Sequence, residues 1–169
     1  MTVWMWLFIA GVIMQRLVEL KIAKNNEKWM KSRGGIEKGR QHYKWFVLLH
    51  VCFFGSIIVE TSVINNEVFS INYVLLFIFL TAQAGRFWCI QSLGRFWNTK
   101  VIVLPGVIHL KKGPYKYVKH PNYIIVAAEL FVIPLFVGAV MTAILYPILH
   151  LLLLRVRIPE EEKALTKPT

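Results

Sequence analysis

Apolar residues in this chain come in blocks, not in alternation: Val3 to Leu20, Trp45 to Ile64, Ile71 to Ile90, and a longer stretch over 122–154. Blocks of this length predict helices that cross the ~30 Å hydrocarbon core at 1.5 Å per residue. Pro121 suits the first position of a helix. Pro134 and Gly138 divide the last stretch into arms 122–137 and 139–154. Each arm is slightly short for a bilayer, so the two should cross together as a hairpin. The predicted fold class is an all-α integral membrane protein with about five transmembrane helices, the last two a hairpin.

The polar segments set an orientation. Residues 21–44 form a lysine-rich loop, with Gly34-Gly35 as a flexible break; no phosphate-loop pattern surrounds the glycines. Asn65-Asn66-Glu67 turns the chain without a Lys or Arg. Gln91 to Lys119 is a second basic connector, without an acidic residue and without an obvious helix. Within it the β-branched run from Val101, ended by Pro105-Gly106, predicts extended chain and a turn lying against the protein. Basic loops face the cytoplasm, which places the N-terminus outside and the C-terminal Arg155 and Arg157 inside. The last helix should stop near Ile158, with a new turn starting at Pro159.

Composition agrees. The chain has 169 residues, 56% of them hydrophobic, a mean hydropathy of +0.52 and a net charge of +11. Its length suits one domain, 1–169. Charge confined to one membrane side argues for contact with anionic lipid and against nucleic acid. Cys52 and Cys89 lie inside apolar runs, so neither disulfides nor zinc are expected. The first span lacks a basic lead and a small-residue cleavage site, so no cleavable leader is expected.

Candidate chemistry gathers in two clusters, Gly113-Pro114-Tyr115 through His120-Pro121-Asn122-Tyr123, and Arg155-x-Arg157-x-x-Glu160-Glu161-Glu162. His120-Pro121 opens a helix, where free N–H groups and the dipole suit a carboxylate or phosphate. Three tyrosines offer rings and hydroxyls. An aromatic, basic interfacial anchor explains the same residues. The glutamate triplet either caps a first helical turn after Pro159 or holds a ligand's amine or ribose hydroxyls. A hairpin would return both clusters to one membrane face. Glu129, mid-span, should pair with Arg86 or Arg16 or remain protonated. Gln15, Arg16 and Glu19 either snorkel or line a cavity. His109 and His120 lack further ligands at metal spacing, so no metal is expected.

These motifs, in this order and with a helical hairpin between them, resemble the isoprenylcysteine carboxyl methyltransferase family over about residues 85–165. The resemblance implies a membrane enzyme that uses S-adenosylmethionine (AdoMet). It further implies cofactor contacts from His109, Leu110, Tyr115, His120, Pro121, Asn122, Tyr123 and Glu161, with Arg157 facing a lipophilic acceptor as the catalytic residue. Lys119 stands where the family usually has arginine. Val107 stands where it has histidine, with His109 two places on. The implied reaction is O-methylation of a carboxylate or acidic hydroxyl on a prenylcysteine-like or polyketide-like lipid at the cytoplasmic leaflet. An NADPH-dependent membrane reductase and a non-enzymatic lipid-binding protein are the competing readings.

Overall fold

The computed structural model describes residues 3–63, 71–106 and 112–166. The architecture is helical: α1 (Val3–Lys31), α2 (Arg40–Val63), α3 (Tyr73–Leu93), α4 (Pro121–Phe136) and α5 (Val140–Thr166). One short ribbon trims it, β1 (Ile36–Lys38) paired antiparallel with β2 (Val101–Val103). Among the described residues α1, α2, α3 and α5 are long and apolar enough to cross a membrane, whereas α4 has 16 residues. Their outward faces carry Trp4, Leu7, Val51, Phe77, Phe87 and Leu151, all exposed, as helices solvated by lipid require. The chain is an integral membrane protein.

The core lies toward one end of the bundle. Met5, Ile9 and Val12 of α1 meet Leu49, Phe53 and Ile57 of α2, Leu130 and Ile133 of α4, and Tyr146 of α5. The Ser56 and Tyr146 hydroxyls lie 2.7 Å apart within it. At the same end Glu60 of α2 accepts 2.8 Å bonds from the Met141 and Thr142 N–H groups, so the start of α5 is capped by another helix's carboxylate.

Three expectations need correction. The first span does not give way to a loop at Lys21; α1 continues to Lys31. Glu19, Ala23, Asn26 and Met30 are buried at spacings of four, three and four, which is a helical stripe, so lysines on the other faces do not break it. Nor is Gly34-Gly35 a flexible break. Gly34, at φ +83°, ends α1, the Gly35 N–H bonds the Met30 carbonyl at 2.9 Å, and a Cβ on Gly35 would sit 2.7 Å from that oxygen. It is a helix cap. Third, α5 does not stop before Pro159 but runs through it to Thr166. The carbonyl that Pro159 leaves without an N–H belongs to Arg155, an exposed residue at the polar end of the helix, where water can bond it.

The second connector is as the β-branched run predicts. β2 lies against the protein, Val101 and Ile102 are buried, and a turn follows at Pro105-Gly106. Its other regular pieces among the described residues are short 3-10 turns, Gly94–Phe96 and Gly113–Lys116.

Candidate functional site

The two motif clusters meet. His120 closes the connector and Pro121 opens α4; Arg157 and Glu161 lie one turn apart near the end of α5. The Arg157 Nε–H donates to the Tyr123 hydroxyl at 3.3 Å, and that hydroxyl donates to Glu161 Oε2. The His120 ring stacks on the Tyr123 ring, centroids 5.4 Å apart and planes 22° apart. Its nitrogens lie 3.9 Å from Glu161 Oε1 and 3.6 Å from Glu162 Oε1. Lys119 reaches Glu162 at 3.4 Å.

Because α5 does not restart at Pro159, the glutamates stand near a helix C-terminus, where the dipole disfavours carboxylates. First-turn capping therefore does not explain them. What faces them is the opening of α4, whose positive end has no side-chain cap, together with Lys119.

Arg157 is 5% exposed, so its setting decides what it can do. Nη2 donates to the Thr99 carbonyl at 3.0 Å, and the guanidinium lies 5.5 Å from the centre of the Phe46 ring. Nη1 has no hydrogen-bond partner among the described residues. A fixed, half-satisfied guanidinium beside an apolar helix can bind one anionic oxygen.

Thr99 is placed from α1. Asn26 Nδ2 donates to the carbonyls of Trp97 (2.7 Å) and Gly94 (3.2 Å), and Asn98 Nδ2 donates to the Ala23 carbonyl at 3.0 Å. Sequence reasoning missed Asn26, Phe46 and Thr99. Only Asn26 carried a signal, being a polar residue on a buried stripe.

Tyr115 lies in the Gly113–Lys116 turn against α3. Burial first, then the neighbouring Cys89 thiol and the charge of Glu161, pushes the pKa of its hydroxyl well above the phenol range. Gly113 makes that approach possible. At φ +54° its added Cβ would fall 1.9 Å from Ser92 Oγ and 3.0 Å from Trp88 Nε1. Gly113→Ala should destabilise the fold by roughly 1–3 kcal/mol through overpacking alone, read as a lower unfolding midpoint in detergent. An unchanged midpoint would contradict the close approach. His109 and Leu110 lie outside the described residues.

Deeper in the bundle sits a second polar group. Glu129 of α4 bonds Arg86 of α3, pairs with Arg16 Nη2 of α1 at 2.6 Å, and accepts from Gln83 at 2.8 Å. Glu19 takes Arg16 Nη1 at 2.6 Å and Arg86 Nη1 at 3.3 Å, while Gln15 bridges Glu19 and Gln83. Glu129 thus pairs with both arginines. Two arginines and two glutamates balance, as charges away from water must. Among the described residues no three His, Cys, Asp or Glu side chains gather at metal spacing.

Residues 74–167 match the isoprenylcysteine carboxyl methyltransferase (ICMT) family. The chain belongs to this family. It is 44% identical over 160 residues to the uncharacterized protein YpbQ of Bacillus subtilis, spanning 95% of both chains. It is 32% identical over 158 residues to an uncharacterized protein of Haemophilus influenzae, spanning 93% of this chain and 92% of that one. No solved structure matches it. ICMT membership makes the chain a membrane methyltransferase, and the methyltransferases of the ICMT family are generally AdoMet-dependent. The ICMT match covers α3 to α5, and therefore both halves of the site.

Proposed function

We propose that the protein is an AdoMet-dependent O-methyltransferase acting on a carboxylate or acidic hydroxyl of a lipophilic acceptor at the cytoplasmic leaflet. The observation that carries the reading is the convergence of His120, Tyr123, Arg157 and Glu161 from opposite ends of the α4–α5 pair.

The residues suit the cofactor. The Asn122 side-chain carbonyl is buried and has no hydrogen-bond partner among the described residues, an acceptor in need of a donor such as an α-amine. The opening of α4 has no side-chain cap, and its positive end suits a carboxylate. Glu161 suits ribose hydroxyls, and the His120 and Tyr123 rings, with Tyr115 nearby, suit an adenine. When bound, AdoMet supplies a methyl group already activated by a sulfonium. The protein's share is alignment and exclusion of water. A carboxylate or acidic enol is ionised at neutral pH, so no side chain must remove its proton. Arg157 Nη1 holds that oxygen, and the donors to Tyr123 and Thr99 keep the guanidinium from turning. An acceptor of the prenylcysteine or polyketide type reaches the site from the bilayer, with α4 as the fifth crossing and the C-terminus in the cytoplasm.

Purified protein should bind AdoMet in calorimetry, and Glu161→Ala should weaken binding at least about tenfold through loss of charge-assisted hydrogen bonds. Incubation with labelled AdoMet and host lipid extract should place label in an extractable lipid. Protein that binds NADPH in place of AdoMet, or neither, would overturn the reading.

A further inference from the structure

A cavity of about 520 Å³ is lined in part by Thr99, the residue whose carbonyl holds Arg157. Its wall along α1 changes character with height. Leu20 and Ala23 line the end nearer the apolar half of the helix; Lys24, Lys28 and Lys31 line the other, with Lys100 across from them. Leu20 and Lys31 are about 16 Å apart along the axis at 1.5 Å per residue. The site therefore grades from apolar to cationic in the direction in which a lipid grades from acyl chain to headgroup.

Its charge is not internally balanced. Glu27 takes Lys31 at 2.5 Å and Lys100 at 2.9 Å, and Glu37 takes Lys31 at 2.8 Å and Lys100 at 3.4 Å. Two carboxylates thereby answer two lysines. Lys24 and Lys28, four residues apart and so on one face, have no carboxylate partner among the described residues. Two surplus cations on a partly apolar cavity call for an anion with an apolar tail. The volume falls in the range of organic-ligand pockets and far exceeds what a bare phosphate needs.

We propose that this cavity is a binding site for the phosphate headgroup of an anionic membrane lipid, held by Lys24 and Lys28 with its glycerol end against Leu20 and Ala23. The site is separate from the methyl-transfer site and does not depend on the identity of the acceptor. It shares one wall with it: Tyr43 and Thr99 both line the cavity, their hydroxyls 3.4 Å apart, and the Thr99 carbonyl holds Arg157. A lipid in the cavity therefore braces the segment before β2 that positions the guanidinium.

The test is native mass spectrometry of delipidated full-length protein in detergent. It would be supplied with phosphatidylglycerol or with phosphatidylcholine of the same acyl chains. One phosphatidylglycerol per chain should be retained in preference to phosphatidylcholine, by roughly 30-fold for two lysines at a lipid headgroup. Lys24→Ala/Lys28→Ala should abolish the preference, while Lys21→Ala/Lys38→Ala, which removes equal charge outside the cavity, should keep it. Matching circular dichroism melts would show that each variant is folded. Equal retention of the two lipids, equal loss in both double variants, or displacement by excess inorganic phosphate would each overturn the proposal. The last outcome would mean a site for a free anion.

Discussion

Arg157→Ala should lower methyl transfer from labelled AdoMet into extractable lipid by about 100- to 1,000-fold, the usual cost of removing one preorganised donor in a water-poor site. AdoMet affinity should hold within about threefold, because the proposed cofactor contacts, from Tyr115, His120, the opening of α4 and Glu161, do not include the guanidinium. Arg157→Lys should fare little better. An ammonium cannot reach Thr99, Tyr123 and an acceptor oxygen with one fixed plane of donors. A substituted enzyme within tenfold of the wild type would show that Arg157 merely fastens α5 to the connector.

Glu129→Ala should be the most destabilising single change at the buried polar cluster, at about 3–5 kcal/mol. The cluster holds two cations and two anions on α1, α3 and α4. Deleting Glu129 leaves Arg16 and Arg86 to share Glu19, with one positive charge in excess where little water can reach. Denaturant unfolding in detergent would show the loss, and the double variant Glu129→Ala/Arg86→Met should regain part of it by restoring the balance. An unchanged transition in Glu129→Ala would place the cluster in contact with water.

The helices were legible because lipid exposure leaves long apolar blocks unbroken, and the meeting of His120 with Glu161 was legible because an interrupted block folds back on itself. The extent of α1 was not. Lysines from Lys21 onward look like loop to a hydropathy reading, and only the burial of Ala23, Asn26 and Met30 shows the helix beneath them. Pro159 misled in the opposite sense, since a proline near an exposed helix end removes a bond that solvent replaces. The support of Arg157 was out of reach for a different reason. Backbone carbonyls such as that of Thr99 have no sequence signature, and Phe46 is one aromatic residue among many.

The ICMT match begins at residue 74, yet the segment that carries Arg157's carbonyl partner is held in place by residues 23 and 26. The hydrogen bonds from Asn26 and to Ala23 run between a stretch outside the match and one inside it. Divergence in the two stretches is therefore physically coupled. A change that shortens or twists α1 by one residue must be matched at Gly94 to Asn98, or Thr99 turns away from the guanidinium. Transplanting the two motifs onto another membrane anchor would carry over their letters without their geometry.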